Sequence, residues 1–198
     1  MPYISFLVFV IITSFTPGPN NIMAMAYANQ YGLKKTMQFC LGVGMGFFTI
    51  TALSSFFNVV LSQIMPIITL PLTILGVGYM LYLAFKIATM KDHEDSDTNH
   101  LKEHKRNLLL LGAFLQFINP KGILFGITVV ATYILPYYTS YMSYILFALF
   151  LGFVGIISTF SWALFGSTFR KVLLQYRQSF NIVMAILLVY SAFSILFH

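Results

Sequence analysis

Residues 16–21 read Thr16-Pro17-Gly18-Pro19-Asn20-Asn21, and they stand inside an apolar run that extends over residues 3–27. A helix must be about 20 residues long to cross the hydrocarbon core of a bilayer. This run is long enough, yet its middle carries two prolines and a glycine. Proline removes a backbone donor, and its ring clashes with the carbonyl one turn back. The helix is therefore expected to break there. A second interruption, Asn119-Pro120-Lys121-Gly122, stands near the middle of an apolar run at 108–131. Carbonyls and amides freed by such breaks cannot face lipid; they must be buried in protein or line a wet cavity. Two broken helices meeting at mid-depth point to a binding site between them.

Further apolar runs at 39–61, 66–88, 142–166 and 180–197 bring the expected spans to six. The composition agrees. Of 198 residues, 59% are hydrophobic and 8% charged, with a mean hydropathy of +0.84. A soluble domain is about 25% charged, and too few residues here want water to build a soluble shell. That excludes most cytosolic enzymes, nucleic-acid modules and disorder. The reading is an all-α integral membrane protein with one domain over 1–198. The first run has no basic residue before it, whereas a cleaved signal peptide should have one, so it is expected to be the first helix. Cys40 is the one cysteine and cannot form an internal disulfide.

The net charge is +6, but the positions of the charges say more than their sum. Ten of the eleven basic residues fall on one side of the six spans: Lys34, Lys35, Lys86, Lys91, Lys102, Lys105, Arg106, Arg170, Lys171 and Arg177. Positive charge stays cytoplasmic, which places both termini outside. Tyr133, Tyr137, Tyr138, Tyr141 and Tyr144 cluster about the connection between the fourth and fifth spans, as an interfacial aromatic belt would. All five acids, Asp92, Glu94, Asp95, Asp97 and Glu103, lie in the polar stretch 89–107. That stretch reads as a solvated cytoplasmic linker. His93, His100 and His104 lie there too, without the cysteines or fixed spacing that mark a metal site. No metal or cofactor is expected.

The linker splits the spans three and three, and the halves resemble each other. The two interrupted spans correspond. Leu41-Gly42 followed by Gly44 matches Leu151-Gly152 followed by Gly155. Tyr82-Leu83-Ala84-Phe85-Lys86-Ile87 matches Tyr190-Ser191-Ala192-Phe193-Ser194-Ile195 at four of six positions. An odd number of spans per half sets the halves in opposite orientations. The expected architecture is two inverted three-helix repeats, 1–88 and 108–198, with helices 1 and 4 broken by Pro and Gly.

Lys121 is the eleventh basic residue and lies within a span, fifteen residues beyond Arg106, which is about 22 Å along a helix. A charged lysine at mid-depth costs about 3 kcal/mol on insertion scales, and no span holds an acid to pair with it. Three arrangements relieve that cost: a neutral amine, a wet cavity, or a carboxylate brought by the substrate. The candidate binding residues are Pro17, Gly18, Pro19, Asn20, Asn21, Asn119, Pro120 and Lys121. Helix amino termini exposed at a break favour a carboxylate, and the asparagines suit an amino group or a polar tail. Gln38, Gln116, Asn58 and Asn181 stand near span ends and are expected to be ordinary boundary residues. Gly42-Val43-Gly44-Met45-Gly46 lies inside a span, so it reads as close helix packing rather than a nucleotide loop.

Thr-Pro-Gly-Pro-Asn in the first span and Asn-Pro-Lys-Gly in the fourth resemble the paired signatures of the lysine-exporter/homoserine-exporter (LysE/RhtB) family. The resemblance covers the whole chain. Within the family it is most similar to the cysteine and O-acetylserine exporters, through Thr16 to Ile22, Lys86-Ile87-Ala88-Thr89, Leu115-Gln116-Phe117, Trp162-Ala163-Leu164, Asn181-Ile182-Val183 and Leu187-Leu188-Val189-Tyr190. It implies a multi-pass protein of the bacterial cytoplasmic membrane. The implied activity is export of small amino acids or their derivatives, driven by the proton gradient. Many members carry an acid after the helix 2 glycines; this chain has Phe47-Phe48-Thr49 there. Export of another amino acid (homoserine, threonine or lysine), export of a cation, and a homodimer stay open. An intramembrane enzyme would need a nucleophile and base in reach of each other, yet all four histidines, His93, His100, His104 and His198, lie outside the spans.

Overall fold

The computed structural model describes residues 1–89, 107–169 and 175–196. The acidic linker, with His93, His100 and His104, lies almost wholly outside the described residues, as does His198. What is described is all helix, with no strands among the described residues.

Helix α1 (Tyr3–Phe15) ends where the first proline requires it to. Thr16 is extended (φ −64°, ψ 151°), the conformation a following proline enforces. Helix α2 (Pro19–Tyr31) then starts with Pro19 in its first turn, where the missing N–H costs nothing. The two segments meet at 49°. Gly32, with φ +82°, is the positive-φ residue that lets α2 turn directly into α3 (Leu33–Phe56). A single residue, Phe57, separates α3 from α4 (Asn58–Ala88).

The second half opens with Asn107, whose side chain accepts from the amides of Leu109 and Leu110 at 3.1 and 3.2 Å and caps α5 (Leu108–Ile118). Asn119 is extended before Pro120, and α6 (Pro120–Val129) starts on that proline. The bend here is 68°. A π-helical turn, Val130–Ile134, prolongs α6. Helices α7 (Tyr141–Thr168) and α8 (Arg177–Leu196) complete the chain.

Both expected breaks are present, at the residues that carry the prolines. The boundaries elsewhere moved. The helix expected from 66 starts at Asn58 and runs through Pro66 and Pro71, a tolerance that membrane helices show. The one expected at 39–61 runs from Leu33 to Phe56. Helices α3 and α7 are each long and apolar enough to cross a membrane, and each bent pair is so when taken together. Helices α4 and α8 contribute shorter apolar stretches, Thr73–Phe85 and Gln178–Phe193.

Helix α3 is the centre of the packing, with α5 on one side and α7 on another, and α2 also packs on α7. The alternating glycines explain how. A Cβ on Gly42 would fall on the Leu109 carbonyl, and one on Gly112 would fall on the Phe39 carbonyl, so α3 and α5 cross backbone to backbone. A Cβ on Gly44 would meet Ile156 and the Gly152 carbonyl of α7 instead. Positions 42 and 46 thus serve one neighbour and position 44 the other. Where lipid offers no hydrophobic drive between helices, small residues allow the close approach that holds them. Helix α4 lies against α8, and with α2 they enclose Ile22, Met25, Leu83, Ala84, Met184, Ala185 and Leu188. Cys40 is fully buried on α3. The outer faces are apolar: Ile4 is 80% exposed and Leu75 73%. Such a surface suits lipid rather than water.

Candidate functional site

The prolines free a set of backbone carbonyls at the end of α1, and these need donors. Each finds one. Ser14 O accepts from Asn21 Nδ2 at 2.9 Å and from Ser158 Oγ at 2.7 Å. Phe15 O accepts from Trp162 Nε1 at 3.1 Å. Thr16 O accepts from Asn21 Nδ2 at 3.0 Å and from Lys121 Nζ at 3.2 Å. Pro17 O accepts from Ser191 Oγ at 2.8 Å and from Lys121 Nζ at 3.1 Å. The donors come from α2, α6, α7 and α8, so the first break is the point on which these four helices converge.

Lys121 reaches it from the first turn of α6. Its ammonium also donates to Thr16 Oγ1 at 2.8 Å, and that hydroxyl in turn donates to Thr13 O at 3.0 Å. An ammonium has three hydrogens, and the three acceptors account for all of them. The aliphatic stem lies over Gly18, where a Cβ would stand 3.3 Å from Lys121 Cδ. The lysine with no acid in the spans to pair with it is therefore held by the carboxyl end of α1, the negative end of that helix.

The second break is treated differently. Asn119 is 6% exposed, and its Oδ1 is buried without a hydrogen-bond partner. Ser14 Oγ is likewise buried and unpartnered. The residues preceding α2 and α6, Gly18 and Asn119, offer no side-chain cap. The first backbone bonds of these helices are Ile22 N–H to Gly18 O and Ile123 N–H to Asn119 O, both at 3.0 Å. The amides of Asn20, Asn21, Lys121 and Gly122 lie ahead of those bonds, at the positive ends of two helices.

These features share one cavity of about 460 Å³, measured with its open mouth. Gly18, Asn20, Asn21, Asn119, Lys121 and Gly122 line it from the two breaks. Phe47 and Phe125, stacked at 5.2 Å, form an apolar wall. Lys121 is the one ionisable side chain in the lining.

Five of the eight residues singled out in the sequence, Gly18, Asn20, Asn21, Asn119 and Lys121, line this cavity. The three prolines do not, and act through the backbone: Pro17 by its carbonyl, Pro19 and Pro120 by starting helices, Pro120 also against Gly76 of α4. Gln116 overturns its expected role. It is not a boundary residue: it is 4% exposed, lines the cavity and accepts from Asn20 Nδ2 at 2.5 Å. The signal was its place one turn before the Asn119 break, on the face that the break exposes. Ser14, Ser158 and Thr159 were also missed. Serine and threonine are too common in membrane helices to stand out singly.

Comparison with known proteins gives one family. The family model described as LysE type translocator matches residues 11–198. The cysteine/O-acetylserine efflux protein of Escherichia coli (strain K12) is 34% identical over 193 residues, 98% of this chain and 96% of the relative. The protein of the same description from Shigella flexneri shows the same identity and coverage. No solved structure matches the chain.

Proposed function

Because the chain belongs to the LysE type translocator family, we propose that it exports a small zwitterionic amino acid or derivative across the bacterial cytoplasmic membrane, in the manner the names of its cysteine/O-acetylserine efflux relatives describe. A translocator, not an enzyme, is also what the residues favour: the cavity lining holds no acid, histidine or cysteine to act as a nucleophile or base.

The observation that carries the reading is the cavity between the two breaks. Two helix amino termini without side-chain caps open onto it, and they suit a carboxylate. Asn119 Oδ1 is nine-tenths buried, unpartnered and in the same lining, and it suits an ammonium. A buried polar group left unpaired costs about 1–3 kcal/mol, so a ligand donor there is favoured. Pro17, Gly18, Pro19, Asn20, Asn21, Asn119, Pro120 and Lys121 form the substrate site in this reading. Lys121 contributes its charge through space while its hydrogens hold α1.

The wider architecture belongs to the same proposal. Residues 1–88 and 108–198 form inverted repeats, which the pairing of α3 with α7 and of α4 with α8 supports. Both termini face outside, on the distribution of lysine and arginine. Export is coupled to protons, and Lys121 is the group in the lining able to carry one. The test is a substrate panel in proteoliposomes under an imposed proton gradient, including cysteine, O-acetylserine, homoserine, threonine, lysine and a divalent cation. Transport of small neutral amino acids that collapses with a protonophore is the expected result. Movement of the cation alone, or of none of the panel, would overturn it.

A further inference from the structure

Gln116 is held more elaborately than a packing residue needs to be. Two glycines on two different helices make its space. A Cβ on Gly46 of α3 would strike Gln116 Cβ and Cγ, and one on Gly122 of α6 would strike its carboxamide. Asn20 of α2 fixes the orientation by donating Nδ2 to Gln116 Oε1. Three elements besides its own thus define one amide. The bond uses one acceptor and one donor of the pair. It leaves the Gln116 amino group and Asn20 Oδ1 with no protein partner among the described residues, both on residues that line the cavity.

The surroundings say what each is for. The Gln116 amino group stands against the first turn of α6, where the backbone presents N–H donors and no acceptors. Donors gathered in one place suit an anion. Asn20 Oδ1 beside it is an acceptor, and suits a cation. A free donor and a free acceptor side by side complement the carboxylate and ammonium that share one carbon in an α-amino acid. Lys121 does not compete for that task, because its three hydrogens are engaged at α1. We propose that the Asn20–Gln116 amide pair reads the zwitterionic head of the substrate, with Gln116 as a ligand of its carboxylate. This rests on the exporter reading above and deepens it: the site recognises the α-amino-acid head by neutral groups, and the substrate's side chain is left to the Phe47 and Phe125 wall.

The experiment measures efflux of L-cysteine, kept reduced, from proteoliposomes, with L-alanine and L-alanine methyl ester as competitors. Wild type is compared with Gln116→Met and Gln116→Glu. A hydrogen bond to a charged group is worth about 10- to 100-fold in affinity. Gln116→Met should weaken competition by L-alanine by that factor, and Gln116→Glu, which sets a carboxylate against a carboxylate, by more. The methyl ester should compete about equally against all three proteins. Weakening of acid and ester alike, or no change in either, would remove Gln116 from the substrate and leave it a packing residue. If the methionine variant does not fold, the isosteric glutamate carries the comparison; failure of both to fold counts against the proposal. A wild type that moves no amino acid overturns the exporter reading itself, a result distinct from an active wild type with an unchanged acid-to-ester ratio.

Discussion

The two breaks begin from the same chemical event, a proline set into an apolar helix, and they end in opposite states. At the first, the carbonyls of Ser14, Phe15, Thr16 and Pro17 are all bound by side chains, three of them twice. At the second, an asparagine oxygen is buried with nothing to bind. No side chain among the described residues ties down the carbonyls at the end of α5. The difference lies in the donors within reach. The first break is met by Asn21, Lys121, Ser158, Trp162 and Ser191; the second is met by glycines and by Gln116, whose oxygen accepts from Asn20 and whose amino group binds no carbonyl there. A break with every freed carbonyl satisfied is a frame. A break with a group left over is a receptor.

Substitutions at four positions test that division. The largest effect is expected at Lys121, which belongs to both breaks. Lys121→Met keeps the stem and removes three charge-assisted bonds; efflux should fall about 100-fold. The protein should still fold, because Thr16 O keeps Asn21 and Pro17 O keeps Ser191. Lys121→Arg should fail as well, since a planar guanidinium does not fit three acceptors gathered at a helix end. Efflux and expression are measured together. A methionine variant with near wild-type export would show that the frame does not need its brace.

Next comes Asn119→Leu, which removes the unpaired oxygen. Apparent substrate affinity should drop about tenfold, while the melting temperature in detergent holds or rises, because a buried unpartnered acceptor is gone. A clear loss of stability would mean that the second break is framed like the first. Asn21→Leu should, unlike Asn119→Leu, cost stability. It strips one donor from Ser14 O and one from Thr16 O, and interhelical polar bonds in membranes contribute about 0.6 kcal/mol each, so a loss of about 1 kcal/mol in stability is expected. The smallest effect belongs to Trp162→Phe. It removes the side-chain donor to Phe15 O and should cost about 0.6 kcal/mol with transport nearly unchanged.

The breaks themselves were legible because proline acts on its own neighbourhood. Pro17, Pro19 and Pro120 fix where helices stop and start, and no tertiary contact can restore the missing amides. The glycine spacing at 42, 44 and 46 was legible as close packing for a similar reason, since a missing Cβ has one use inside a span. The ends of α3 and α4 were less so: Pro66 looked like a boundary and lies within the helix, because α4 tolerates the lost bond. What fills the breaks was not legible. Trp162, Ser158 and Ser191 are more than 140 residues from the carbonyls they bind. Gln116 was set aside for its position near a span end, a rule that fails where the span is bent by 68° and its end lies in the interior.

Cys40 lies on α3 with no exposed surface, one turn before Val43 and beside Thr159, both of which line a cavity proposed to pass thiols. Thiols and disulfides exchange partners when a thiolate can reach a sulfur, so a cysteine within reach of the lining would form mixed disulfides with the cargo and jam the path. Here the only sulfhydryl in the chain adjoins the lining but presents no surface to the cavity. The folded transporter should therefore remain active in cystine or in thiol-blocking reagents, and become sensitive to them only as it unfolds.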